Sequence, residues 1–217
     1  MQRAHRPEQK EIRRQAILAG AAQLFSVRPY QDLRMADLAG LLGLGKGTLY
    51  LYFPTKESLF LAVLQVEMDA WFRGAAARLE AFSPGADPAR VASALVRELL
   101  DRPLLPGLQA RVHGVLEQNA PPEETQAFAR FLQEGVTRVG TRLEAVIPAL
   151  APGQGAAFLL RFYGLAIGTQ LMSGRPPTVK EALEDPGLHL FHFTFEDLFR
   201  GAVVDLLHGM LAQAAVG

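Results

Sequence analysis

The chain has 217 residues, no formal net charge and no cysteine, with 49% hydrophobic and 20% charged residues. That length suits one or two domains with a sizeable core, and the missing cysteines exclude a disulfide framework, a thiolate zinc site and a cysteine nucleophile. The longest uncharged run, 145–160, holds two prolines and two glycines, so it is not a membrane span of about 20 apolar residues.

Arg3, Arg6 and Lys10 precede no apolar stretch, so the start of the chain does not read as a secretory signal. A soluble, cytoplasmic protein is expected. The neutral total hides an asymmetry. Residues 1–60 carry nine Lys/Arg against five Asp/Glu, and the remainder carries 13 against 17. A basic end on an acidic body suits contact between the N-terminal part and a polyanion.

In chain order the sequence reads as helices with short breaks. Ala and Leu dominate and β-branched residues are sparse, which disfavours strands. Pro7 opens a helix to about Val27, with Ile12, Ile17, Ala21, Leu24 and Phe25 as its apolar stripe. Arg28-Pro29-Tyr30 breaks it. Short helices follow at 35–42 and 46–52, separated by Gly43-Leu44-Gly45. Thr55 caps a long helix over 56–80, with Glu57 in its positive first turn. Further helices are expected at 89–101, 107–118, 121–147, 154–173 and 195–213, the last opened by a capping box at Thr194-Phe195-Glu196-Asp197. Residues 174–187 read as a polar connection. The fold class is all-α, with about nine helices.

The pair of short helices around Gly43 carries the functional signal. Two such helices joined by a Gly-containing turn form a helix-turn-helix pattern. Leu38, Leu42, Leu44 and Leu49 supply its apolar seam, Ala39 allows close helix approach, and Gly43 allows a left-handed turn. Lys46, Thr48, Tyr50 and Tyr52 are polar groups suited to DNA: Lys reaches a guanine edge or a phosphate, and the hydroxyls donate to phosphates.

Residues 38–59, LAGLLGLGKGTLYLYFPTKESL, closely resemble the tetracycline-repressor-like (TetR) regulators, whose signature runs I-A-x-x-A-G-V-S-x-G-T-L-Y-x-Y-F-x-x-K-E-x-L. Gly47-Thr48-Leu49-Tyr50, Tyr52-Phe53, Lys56-Glu57 and Leu59 match in type and spacing. The resemblance covers about residues 8–64 and implies a three-helix DNA-binding head over 1–53. The remainder, 54–217, would be a helical body that dimerises and holds a small effector. A dimer would set two recognition helices in successive major grooves of a near-palindromic operator. The resemblance places Lys46 and Gly47 at base edges, and Thr48, Tyr50, Tyr52 and Lys56 at phosphates.

Three residues depart from the family pattern. Arg34 replaces the usual Thr or Ser cap of the second helix, so Asp32 would cap instead and free Arg34 for DNA. Gly45 replaces a capping Ser, and Leu42 replaces an Ala. With Gly47 bare, Leu51 is a candidate for contact with a thymine methyl. Arg3 and Arg6 form a short basic arm for a minor groove or phosphates.

In the body, Met68, Trp71, Gln109, His113, Phe128, Phe131, Phe162 and Gln170 are the candidate effector-pocket residues, and their apolar character favours a hydrophobic or aromatic effector. Gly164, Gly168, Phe195, Phe199, Ala202 and Leu206 are the candidate dimer-interface residues, on the last two long helices. His189, His192 and Glu196 have ligand-like spacing, but the cap at Thr194 separates them, so no metal site is expected. No phosphate loop, Gly-x-Ser-x-Gly motif or catalytic triad is present, so neither enzyme activity nor a cofactor is expected. The resulting expectation is a homodimeric repressor released by a small effector. An activator of the same family, or a helical ligand-binding adaptor with a vestigial head, is the alternative.

Overall fold

The computed structural model describes residues 5–111 and 121–214. Among them are ten α-helices and no strand: α1 (His5–Val27), α2 (Met35–Leu41), α3 (Lys46–Tyr52), α4 (Lys56–Glu80), α5 (Pro88–Leu100), α6 (Leu105–Arg111), α7 (Pro122–Val146), α8 (Gln154–Ser173), α9 (Pro177–Ala182) and α10 (Phe195–Ala214). Tight 3₁₀ turns add Tyr30–Asp32 and Pro186–Phe191. No described helix is long and apolar enough to cross a membrane. The α9 turn is the element that the polar composition of 174–187 concealed. A proline pre-set for its first turn starts it. The helix expected over 107–118 begins earlier, at Leu105, and its later part lies outside the described residues.

The chain divides into two compact units, 1–67 with 111–129, and 68–110 with 130–217. The core of the first unit is built from Ile17, Leu18 and Ala21 of α1, Leu38 and Ala39 of α2, Leu49 of α3, and Leu59, Phe60 and Val63 of α4. Ile12, expected on the apolar stripe of α1, is instead exposed. Ile17 lies five positions further on, and at about 100° per residue that turns Ile12 some 140° away from the buried face. Close packing of α1 on α2 depends on Gly20, where a Cβ would lie 3.1 Å from the side chains of Leu38 and Leu42. Thr55 caps α4 as expected, its hydroxyl accepting from the Ser58 backbone N–H at 2.9 Å.

In the second unit, α10 packs against both α5 and α8. Its core holds Trp71 and Phe72 of α4, Val91, Leu95 and Leu99 of α5, Phe158 and Phe162 of α8, and Phe199, Val203 and Leu207 of α10. α7 and α8 cross at Gly155, where a Cβ would stand 2.1 Å from the Gly140 carbonyl oxygen. The start of α8 has no local cap. Glu144 of α7 supplies one, its carboxylate accepting from the N–H groups of Gly153 and Gly155 at 2.8 and 2.9 Å. At the start of α10, the Thr194 hydroxyl accepts from the Asp197 N–H at 3.1 Å.

Candidate nucleic-acid interface

The turn between α2 and α3 is closed by backbone chemistry. Gly43 takes φ +61°, and the N–H of Leu44 bonds the Ala39 carbonyl while that of Gly43 bonds the Gly40 carbonyl. This is a Schellman ending, which requires a left-handed residue and so favours glycine. Gly45 then caps α3 in extended conformation without a side-chain bond. Arg34 occupies the corresponding position before α2, also with no side-chain cap. Asp32 does not cap α2 as the sequence suggested, because it is held inside the 3₁₀ turn Tyr30–Asp32. Arg34 is exposed.

α3 has only seven residues, and it sorts them sharply. Leu49 is buried and anchors the helix, while Thr48 and Tyr52 are half-buried. Lys46, Gly47, Tyr50 and Leu51 are exposed, Leu51 to 83%. The spacing of Gly47 to Leu51 and of Lys46 to Tyr50 is i, i+4, so each pair shares a face. Among the described residues, nothing beyond its own helix backbone and chain neighbours lies within 4 Å of a Cβ at Gly47. The outer surface of α3 is therefore a bare backbone turn beside an apolar tip, flanked by an ammonium and a phenol. Such a surface suits close approach to the floor of a major groove, with phosphates on either side.

Lys56 stands differently. Its Nζ donates to the carbonyls of Tyr30 at 3.0 Å and Leu33 at 3.2 Å, and it lies 4.1 Å from the centre of the Tyr30 ring. Two of its three donors are thus committed to the loop before α2. Tyr30 completes the clamp by donating to Glu57 at 3.1 Å and packing edge-on against Phe60. Burial and the Glu57 carboxylate together hold the Tyr30 phenol well above the usual tyrosine range. Sequence reading missed Tyr30, since a break flanked by Pro29 conceals its partners. The adjacent Lys56-Glu57 pair was the available signal.

The candidate pocket residues divide between the two units. Met68, Trp71, Gln109 and Phe162 are buried in the second unit, where Phe131 and Gln170 are half-buried. The rings of Trp71 and Phe162 stand 5.4 Å apart, and Phe72 joins Phe131 at 5.9 Å. Gln109 Nε2 donates to the Met68 sulfur at 3.1 Å. Phe128 belongs to the first unit, where it lines a groove with Arg14, Phe53 and Leu61. His113 lies outside the described residues. Of the candidate interface residues, Gly164 and Gly168 are exposed, and Phe195, Ala202 and Leu206 are half-buried. Phe199 is wholly buried against Phe162, at 5.0 Å, and so packs the core of its own unit instead of offering surface. His192 bonds the Leu183 carbonyl and Glu196 pairs with Arg200. No cluster of potential metal ligands occurs among the described residues.

Residues 17–63 match the family described as bacterial regulatory proteins, tetR family, and residues 65–214 match the tetracyclin repressor-like C-terminal domain. The HTH-type transcriptional regulator RutR of Escherichia coli is 38% identical over 72 residues, covering 33% of this chain and 34% of RutR. EthR of Mycobacterium tuberculosis, another HTH-type transcriptional regulator, is 45% identical over 49 residues, 23% of each chain. The match thus spans about a third or less of these relatives. The fold extends further: the TetR-family regulator PfmR from Thermus thermophilus superimposes with a TM-score of 0.55, covering 88% of this chain and 97% of PfmR at 19% identity. With a helix-turn-helix head of this geometry and family matches along most of its length, the chain belongs to the TetR family of bacterial transcriptional regulators.

Proposed function

We propose that this regulator is a cytoplasmic, homodimeric repressor that binds a near-palindromic DNA operator and is released by a small hydrophobic or aromatic effector. Residues 1–53 form the DNA-binding head and 54–217 the effector-binding and dimerisation body. The observation that carries the reading is the outer face of α3, where Lys46, Gly47, Tyr50 and Leu51 stand exposed on a helix anchored by Leu49. Lys46 and the bare backbone at Gly47 meet base edges. Thr48, Tyr50 and Tyr52 meet phosphates, Arg34 and the remaining donor of Lys56 assist them, and Leu51 meets a thymine methyl. An effector releases DNA only by binding the released state more tightly. A hundredfold loss of operator affinity needs about 2.7 kcal/mol of such coupling.

The test is selection of bound fragments from the source genome at two salt concentrations, with the complexes sized. The expected result is an enriched near-palindrome, bound by an even number of subunits and weakened by salt. Replacing the thymine opposite Leu51 by uracil removes only a methyl group. It should weaken wild-type binding severalfold, on the order of 1 kcal/mol, and leave Leu51→Ala unaffected. No enriched sequence at either salt concentration would overturn the reading.

A further inference from the structure

Among its described residues the second unit buries polar atoms that nothing satisfies. Trp71 Nε1 and Gln109 Oε1 have no hydrogen-bond partner, and their residues are 4% exposed each. Each atom forfeits its hydration without a replacement, so each needs an explanation. They belong to one locality. Gln109 donates through Nε2 to the Met68 sulfur at 3.1 Å, and Trp71 lies three residues beyond Met68 on α4, which makes the two neighbours on one helix face. The thioether is a weak acceptor and the amide nitrogen a donor, so this contact turns the Gln109 carbonyl away from Met68.

The surroundings define what could pair with them. Trp71 lies among aromatic rings, 5.5 Å from Phe72 and 5.4 Å from Phe162. The buried polar residues described in this unit are Glu98, Gln109 and Thr169, and the Tyr163 hydroxyl is buried with them. The only charge among them, on Glu98, is already matched by Arg78 and Arg102. A charged ligand would therefore enter without a counter-ion, which burial forbids.

We infer that Trp71 and Gln109 are the polar end of a ligand site for an uncharged, apolar or aromatic molecule bearing a carbonyl-type acceptor beside an N–H or O–H donor. An amide or lactam is the simplest such group. Its oxygen accepts from Trp71 Nε1 and its N–H donates to Gln109 Oε1, while the apolar body lies against the rings. This inference rests on the effector reading above and gives that effector its chemistry.

Trp71 is the only tryptophan in the chain, so a nitrogen-15-labelled sample shows a single indole N–H signal. Full-length protein is titrated with acetanilide, a neutral aromatic amide, and separately with benzoate and benzyltrimethylammonium. Acetanilide is expected to move the indole proton saturably downfield, and the two charged probes to leave it in place. Gln109→Leu should weaken acetanilide binding about tenfold. Trp71→Phe keeps a ring and removes the donor. It should show a comparable loss in acetanilide-dependent thermal shift, and it carries the test if Gln109→Leu does not fold. An indole signal unmoved at millimolar acetanilide means that a buried water, or nothing, serves the pair, and overturns the inference. So does an equal response to the charged probes, or an unchanged affinity in the variants. Fragment selection on the same preparation separates the two readings: selective DNA binding with an unmoved indole overturns this inference alone.

Discussion

Lys56 shows how one residue type can answer two demands. Its place in the family signature points to phosphate, but in the structure its ammonium holds the carbonyls of Tyr30 and Leu33 and faces the Tyr30 ring. Removing it should cost stability before it costs DNA affinity. Lys56→Ala is expected to lower unfolding free energy by about 1–2 kcal/mol, the range for a partly solvated charged hydrogen bond, as read by urea unfolding without DNA. Tyr50→Ala should leave unfolding within about 0.5 kcal/mol of wild type, as for other exposed positions, while weakening DNA binding by a similar factor across sequences, as loss of a phosphate contact does. Equal stability of Lys56→Ala and wild type would show the clamp to be dispensable. The motif made Lys56 visible, but its partners lie more than 20 residues upstream across a break, where spacing carries no information.

Glu98 makes the corresponding point for helix packing. It lies on α5 with its carboxylate buried against Gly74 of α4, where a Cβ would come within 2.0 Å of its oxygen. Arg78 Nε donates to it at 2.6 Å and Arg102 Nη2 at 3.1 Å. Gly74 is thus the opening through which α5 brings an acid to two guanidinium groups. Glu98→Ala should cost about 2–3 kcal/mol, somewhat below the range for a wholly buried pair because both arginines keep access to water. Gly74→Ala should cost a similar amount by displacing the carboxylate. In urea both variants should lower the midpoint without changing the slope. Helical periodicity cannot reveal such a site, since an acid inside an apolar stripe is recognised as compatible only once its cations are in place. The capping of α8 by Glu144 belongs to the same class, because its nine-residue separation matches no local capping pattern.

Across the whole molecule, assembly is the property that the proposed repressor needs most. Gly164 and Gly168 lie on one exposed stretch of α8, and among the described residues a Cβ at either meets nothing within 4 Å beyond the helix's own backbone. Exposed Leu160 and Leu171 extend the same helix. Gly168→Leu should therefore leave folding of the single chain nearly unchanged, while disrupting a partner that approaches along this face. Light scattering is expected to show a dimer for wild type and half that mass for the variant at micromolar concentration. Retained dimerisation would move the interface elsewhere.

Composition and local pattern determined the helical class, the Gly43 turn, the Thr55 cap and the outer residues of α3. Each depends on contacts within one or two helical turns, where spacing and residue type suffice. The tertiary structure decided which side chains those elements spend on packing. It turned Ile12 outward, committed Lys56 to a loop, placed Phe199 in the core and Phe128 in the first unit, and supplied Glu144 and Glu98 with distant partners. The reason is physical. Burial and ion pairing join residues far apart in the chain, and their free energy depends on where the helices cross, which no single helix determines.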